Sequence, residues 1–326
     1  MSISIIIPFF KARIFLKNAS KLSISLLNLK NVEIIFIDDC SNSEDVNYLK
    51  KIVKDEKNIH ILSTSSNSGP GIARNLGINK AKNKWIMFLD IDDSLLISNF
   101  TKFIKFVEKN SSDNLIYFKH SLSSNKKKIS NNNYKPKLIK LDYENRIKNF
   151  IRLEMDGCVI FTLFKRSFLN KYKIRFKKGY HEDIFFLYLC YFFNKEKIKI
   201  FNYLLYLKNY SSNSITNTFT IKHINGYFAA WQNIYKHSKS TLIKNKIIMK
   251  DDVQYGLRGA MAFMIKRLIR SNLSIYKKSI NFNMILKLFL SIINKNFEIK
   301  TKYDKIVYDC IHYKNYKLIN KKFHGL

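Results

Sequence analysis

Trp85-Ile86-Met87-Phe88-Leu89-Asp90-Ile91-Asp92-Asp93 is the stretch on which the fold turns. Its five apolar residues suit a buried strand and are too few for an ordinary helix. Three carboxylates follow at once, and at the carboxyl end of a strand they repel one another unless positive charge sits between them. Open α/β sheets place their ligands at such strand ends. Hard divalent cations, Mg²⁺ or Mn²⁺, take oxygen donors and combine one or two carboxylates with a substrate's phosphates. The plainer reading is an Asp-rich turn capping a helix that starts near Leu95. The flanking sequence decides between them.

Working outward, the first hundred residues alternate short apolar runs with amphipathic stretches. Ser2–Pro8, Val32–Ile37, Ile59–Leu62 and Trp85–Leu89 read as strands. Ala12–Leu29 reads as a helix with Phe15, Ala19, Leu22 and Leu26 on one side. Ser41-Asn42-Ser43-Glu44 has capping-box spacing for a second helix running to about Asp55, and Pro70 suits the first position of a third ending near Lys80. This alternation predicts an α/β fold with a mostly parallel central sheet flanked by helices. Around Ser121–Tyr134, dense Ser, Asn and Lys predict an exposed hairpin or mobile loop. Ile184–Phe193 reads as a helix. Beyond about Thr216 the chain reads as helical and very basic, which divides it into residues 1–215 and a C-terminal region 216–326. There Val253–Ile269, with Leu257, Met261, Met264 and Leu268 on one face, reads as a core-facing helix.

The formal net charge is +34 over 326 residues, most of it Lys, and 46% of residues are hydrophobic. That hydrophobic share excludes wholesale disorder. The Lys, Asn, Ile, Tyr and Phe content matches an AT-rich genome, and the same charge would hold a protein against an anionic surface. Cys40, Cys158, Cys190 and Cys310 lack CxxC spacing and read as reduced thiols. Ile3–Ile7 is too short for a signal sequence, and Met284–Ile293 is short and broken by Lys287. The expectation is a cytoplasmic protein, peripheral at most on the cytoplasmic face of the inner membrane.

In a parallel sheet four segments converge, each at a strand's carboxyl end. Pro8-Phe9-Phe10 offers a proline turn and rings that stack on a base. Asp38-Asp39 can accept from a base N–H or a ribose hydroxyl. Asn67-Ser68-Gly69-Pro70-Gly71-Ile72-Ala73-Arg74-Asn75 allows close backbone approach and carries a cation in Arg74. Asp90, Ile91, Asp92 and Asp93 complete the set. Taken singly, Asp39 caps, Arg74 pairs with a surface acid and Phe10 is core; together they form a nucleotide-diphosphate pocket with a metal. Gly69-Pro70-Gly71 is no dinucleotide fingerprint, because Arg74 takes the place of the last glycine and the segment follows the third strand.

In this order the motifs resemble those of the inverting family-2 glycosyltransferases with the A-type (GT-A) fold. Strand-Pro-aromatic, strand-Asp-Asp, Asn67-x-Gly69 through Ala73-Arg74-Asn75-x-Gly77 and Phe88-Leu89-Asp90-x-Asp92-Asp93 carry the likeness. Gly157–Arg166, ending Phe164-Lys165-Arg166, resembles the strand on the acceptor side. His181-Glu182-Asp183 resembles the family's Glu-Asp motif, and Tyr206–Thr216 its donor-closing loop. There Lys208 stands where Arg is commoner and extra residues precede Ser214; Lys11 likewise replaces the usual Asn. Beyond about residue 220 the resemblance ends.

The resemblance implies transfer of a sugar from a nucleoside diphosphate, UDP expected, to a hydroxyl of a glycan or lipid-linked acceptor, as in surface polysaccharide or lipooligosaccharide biosynthesis. It implies Mn²⁺ or Mg²⁺ on Asp92 with Asp90. It implies a donor site formed by Pro8, Phe9, Phe10, Asp38, Asp39, Asn67, Gly69, Arg74, Asp90 and Ile91. Asp183 is the candidate general base, with Glu182 second, and His181, Lys208 and Ser214 are the candidate acceptor or lid residues. A basic nucleic-acid-binding protein is the reading from another class, but the Lys is spread along the chain rather than gathered into a recognition element, so no nucleic acid partner is expected. A sugar-phosphate nucleotidyltransferase would need a glycine-rich loop after the first strand, and Pro8-Phe9-Phe10-Lys11-Ala12 has no glycine.

Overall fold

The computed structural model describes residues 2–29, 31–53, 56–124, 128–130, 141–155, 157–209, 219–247 and 249–323. The chain forms two compact units, Met1–Tyr143 with Gly157–Ser211, and Glu144–Asp156 with Ser212–Leu326.

The first unit is built on the apolar runs. Strands β1 (Ile3–Phe9), β2 (Val32–Asp38) and β4 (Trp85–Phe88) are buried on both faces, and β3 (Ile59–Ser63) lies half-buried beside β2. They pair in parallel in the order β3-β2-β1-β4. Beyond β4 the sheet becomes mixed. Strand β8 (Thr162–Lys165) is antiparallel to both β4 and β6 (Leu115–Ser124), while β9 (Lys199–Asn209) runs parallel to β6 and antiparallel to β5 (Ser94–Leu95). The sequence reading of a parallel sheet therefore holds for the first four strands. The expected hairpin is present as β6 with β7 (Lys128–Ser130); the rest of that stretch, 125–127 and 131–140, lies outside the described residues.

Helices α1 (Arg13–Leu27), α2 (Ser43–Ile52), α3 (Pro70–Lys80) and α4 (Ile97–Lys109) follow β1, β2, β3 and β5. The buried stripe of α1 is Leu16, Ala19, Ser20, Ser23 and Leu26, rotated from the side predicted by hydrophobicity. Ser20 and Ser23 can be buried because their hydroxyls donate back to Lys17 and Ala19 carbonyls. The cap of α2 is Asn42, one residue after the predicted box; its side chain accepts from Asp45 N, while Ser41 Oγ accepts from Lys11 N. Gly77 lets α3 lie directly on β1, since a Cβ there would overlap the Ile6 side chain.

The second unit is helical among the described residues: α5 (Tyr143–Ile151), whose first residue still belongs to the first unit, α8 (Ile221–His237), α9 (Lys250–Arg270), α10 (Ile275–Phe289), α11 (Lys302–Tyr313) and α12 (Tyr316–Phe323). The remaining helices, α6 (Arg166–Lys171) and α7 (Glu182–Phe193), belong to the first unit. Leu257, Met261, Met264 and Leu268 of α9 are fully buried, as their spacing predicts. Gly256 lets α9 approach the α5 backbone, where a Cβ would collide with the Ile151 carbonyl. Among the described residues no helix is long and apolar enough to cross a membrane.

Candidate active site

Because β1–β4 are parallel, their carboxyl ends share one edge. The chain winds from β1 outward to β3 and then returns to place β4 on the other side of β1, so the strand order reverses between β1 and β4. That switch point is where open α/β sheets bind ligands. Phe10 is the first residue beyond β1 and is 42% exposed. At the end of β2 the two carboxylates divide their work. Asp38 Oδ1 accepts from Ser41 N at 2.9 Å and shapes the turn. Asp39 receives Ser68 N (3.0 Å) and Thr64 Oγ1 (2.9 Å) on Oδ1 and Gly69 N (2.7 Å) on Oδ2. It ties down the loop leading into α3, where Gly69 adopts φ 87°, a conformation that favours glycine. Three donors leave a carboxylate one lone pair for a further partner.

Arg74, on the buried face of α3, is the hub of the site. Nη1 donates to Glu182 Oε1 at 2.8 Å and Asp183 Oδ1 at 3.2 Å, and Nη2 donates to Asp90 Oδ1 at 2.9 Å. The guanidinium lies 5.9 Å and 5.6 Å from the ring centres of Phe88 and Phe176, a favourable stacking environment for a cation. Asn75 fixes Phe176 by pairing with both its backbone N–H and its carbonyl. Gly71 leaves room for the carboxylates: a Cβ there would come within 2.7 Å of Glu182 Cγ. His181 precedes α7 at φ 59°, in the left-handed region, and Glu182 and Asp183 occupy its first turn, where the helix dipole favours negative charge. Burial opposes the charge on Arg74, but Asp183, Asp90 and Glu182 outweigh it and raise its pKa. Asp183 also accepts from Val159 N at 3.3 Å. Burial raises its pKa, Arg74 opposes, and Glu182 and Asp90 add to the rise, to about 7.

The turn after β4 closes through Asp93 N to Asp90 O. It does not cap α4, whose N-cap is Leu96 with no side-chain cap. Asp93 is buried and serves as an anchor: Oδ2 accepts from Tyr206 Oη at 2.6 Å, Oδ1 from Asn209 N at 2.7 Å. Tyr206 Oη in turn accepts from Asp90 N at 3.2 Å, and Asn209 Nδ2 donates to Asp92 O. Burial and the Asp90 charge push Asp93 up to about 7. Burial also opposes ionisation of Asp90, but Arg74 and Lys208 hold its carboxyl below the usual range. Lys208 Nζ is 3.8 Å from Asp90 Oδ2. Tyr206→Phe is expected to destabilise the first unit by about 1.5–3 kcal/mol, because it leaves a buried carboxylate and an N–H short of partners. Urea denaturation measures this, and a change near zero would show that the Tyr206–Asp93 pair does not hold the turn.

The structure thus joins Arg74, Asp90, Glu182, Asp183 and Lys208 through ion pairs, and Asp39 to Gly69 through hydrogen bonds. Pro8 lies in β1, Asn67 on the exposed loop and Ile91 half-buried in the turn. Phe9 is a correction: it is buried at 3% and packs edge-on to Phe36, so Phe10 alone of the pair can meet a base. Ser214 lies outside the described residues. Tyr206, Asn209 and Asn75 lie in stretches the sequence singles out, but their bonds to Asp93, Asp92 and Phe176 are not legible there. As for a metal, no cluster of three or more His, Cys, Asp or Glu converges among the described residues. Mg²⁺ and Mn²⁺ do not require one when substrate phosphates complete the shell. Asp92 is half-buried beside Asp90, and burial and the Asp90 charge raise its pKa, so a cation at this turn would relieve the repulsion between them.

Parallel β3-β2-β1-β4 strands with acidic turns after β2 and β4, joined to a mixed half-sheet, define the A-type glycosyltransferase fold. The chain belongs to glycosyl transferase family 2, whose profile matches residues 4–173. An uncharacterized glycosyltransferase of Haemophilus influenzae is 35% identical over 108 residues, 33% of this chain and 43% of that protein, so the match spans less than half of the relative. The Campylobacter jejuni GalNAc(5)-diNAcBac-PP-undecaprenol beta-1,3-glucosyltransferase is 28% identical over 169 residues, 52% of this chain and 53% of its own. The crystal structure of S. aureus TarS 1-349 in complex with UDP-GlcNAc superposes with a TM-score of 0.69 at 14% identity, over 99% of this chain and 92% of that one.

Proposed function

We propose that the protein transfers a sugar from a nucleoside-diphosphate donor, a UDP-sugar, to a hydroxyl of a glycan or lipid-linked glycan, with inversion, at the cytoplasmic face of the membrane. The observation that carries this reading is the reach of Arg74. One guanidinium holds both Asp90, at the donor-side turn, and Asp183, whose pKa of about 7 suits a general base. Asp183 takes the proton of the acceptor hydroxyl as its oxygen attacks the anomeric carbon. The bond to the diphosphate breaks on the opposite face, and the nucleoside diphosphate leaves with the electron pair. Arg74 and the Val159 N–H hold Asp183 in place, Asp39 and Phe10 flank the nucleobase, and Lys208, paired with Asp90, would meet the charge that develops on the leaving group. A divalent cation, Mn²⁺ or Mg²⁺, would be held by Asp92 with Asp90 and would offset charge on the leaving diphosphate. Support for the donor class comes from TarS, solved with UDP-GlcNAc. Support for a lipid-linked acceptor comes from the Campylobacter enzyme, named for an undecaprenol-linked one.

Calorimetric titration with UDP, with and without Mn²⁺, on the wild type and Asp92→Ala tests the site. The expected result is Mn²⁺-dependent UDP binding that loses its metal dependence in the variant. Equal metal dependence in both proteins would remove Asp92 from the metal site, and no binding of UDP by the wild type would overturn the donor assignment.

A further inference from the structure

We propose that α10 is a membrane-docking helix, laying its outer face along the headgroup boundary of an anionic bilayer. The proposal concerns the setting of the reaction above but rests on the second unit alone.

Residues 212–326 carry 21 Lys and Arg against 5 Asp and Glu. Three of those five acids are buried in internal ion pairs: Asp252 with Arg152 and Lys148, Asp304 with Arg258, and Asp309 with Lys305 and Lys322. Glu298 pairs with Lys300. Each of these pairs also occupies a cation, and Glu144–Asp156 adds three acids and three bases, so the unit keeps the excess of basic over acidic residues that its composition gives. Such an excess complements anionic lipid.

Within it, α10 is amphipathic twice over. Phe282, Ile285, Leu286 and Phe289 are buried, and Phe282 meets Tyr316 of α12 with ring centres 5.8 Å apart. The opposite side carries exposed Lys277, Asn283 and Lys287, but large apolar side chains lie exposed among them. Tyr276, Ile280, Met284 and Leu288 recur every four residues and so lie along one side. Tyr276 is 76% exposed and Ile280 47%, with Ile275 at the helix start 60% exposed; Met284 and Leu288 are half-buried. Lys277 and Lys287 flank this stripe, both exposed, and α10 contains no acid. An apolar stripe edged by lysines is the pattern of a helix lying in the interface plane, and Tyr is favoured at that depth. The lysines argue for lipid over an apolar protein partner, since a protein face would have to bury or neutralise them. The longer helix α9 cannot serve, because its apolar face is the core of the unit.

Flotation of the full chain with vesicles of phosphatidylglycerol and phosphatidylcholine, against phosphatidylcholine alone, tests the proposal without donor or acceptor. Binding is expected only to the anionic vesicles, falling at least tenfold in Ile280→Ser/Tyr276→Ser and in Lys277→Glu/Lys287→Glu. Lys236→Glu/Lys239→Glu, which changes net charge equally, should lose much less. A Tyr276→Trp reporter should be quenched by brominated lipid. Circular dichroism and Trp231 fluorescence of each variant show that the second unit keeps its fold, and UDP titration of the wild type, read separately, distinguishes failure here from failure of the donor assignment. Equal losses in the two charge-reversed variants, or no quenching, would reduce the interaction to a diffuse field and overturn the assignment to α10. So would a dimer in solution that Ile280→Ser converts to monomer, which would make this face a contact between copies.

Discussion

Asp183→Asn is expected to lower kcat for sugar transfer by about 10²- to 10⁴-fold, the usual contribution of a positioned general base, with UDP affinity unchanged. Stability should hold or rise. Arg74 faces three carboxylates, Asp90, Glu182 and Asp183, so removing one negative charge relieves repulsion between the others, while the amide still accepts from Arg74. The pH profile gives the sharper test. A base acts only when deprotonated, and burial with the Glu182 and Asp90 charges has raised Asp183 to about 7. Wild-type kcat should therefore rise with pH, approximately tenfold per unit, and level off above about 7. The residual rate of the variant should lack that limb. A purely structural Asp183 would instead show itself as a lower melting temperature with the pH limb retained, and that result would move the base to Glu182.

What the sequence discloses and what it hides follow from the range of each interaction. Strands β1, β2 and β4 are legible because a parallel strand covered on both faces must be apolar throughout, and Ile5-Ile6-Ile7 or Ile34-Ile35-Phe36 satisfies this locally. Their shared edge follows from the parallel order, so Asp39, Arg74 and Asp90 could be assembled before any coordinates. The anchor of the acidic turn could not. Asp93 finds Tyr206 across 113 residues, and nothing near either residue signals the pair. The same holds for the mixed half of the sheet and for Glu144–Asp156, which packs with the C-terminal unit although it interrupts the first in sequence. Phe9 and Phe10 differ only in that one is the last residue of β1 and the other lies beyond it, a boundary that apolar runs define poorly.

Removing the hub should cost more than removing any one of its partners. Arg74→Met keeps the bulk of the side chain among Phe88 and Phe176 but leaves Asp90, Glu182 and Asp183 without their cation. Breaking a buried ion pair from one side costs about 3–5 kcal/mol, against a total of roughly 5–15 kcal/mol for a typical domain. The first unit should thus be close to unfolding at ambient temperature. The chain has two Trp, Trp85 in β4 and Trp231 in α8, so urea unfolding in a Trp231→Phe background reports on the first unit alone. Arg74→Lys should recover only part of the loss, because one compact ammonium cannot replace a planar fork that reaches three carboxylates. The sign of the pH dependence separates charge from packing. Without Arg74 the buried carboxylates have folded pKa values above their unfolded ones. The folded variant then binds more protons than the unfolded chain, and its stability rises as pH falls from 7 towards 5. In the wild type the contribution of Asp90, from its depressed pKa, is lost only below its unfolded value and so stays constant from pH 7 to 5. Asp183, already raised to about 7 beside Arg74, gives a smaller rise of the same sign as the variant's. The gap between wild type and Arg74→Met should therefore narrow at pH 5. A gap that stays constant from pH 5 to 7 would mean that the guanidinium supports the fold by packing against Phe88 and Phe176, and that the three carboxylates do not depend on its charge.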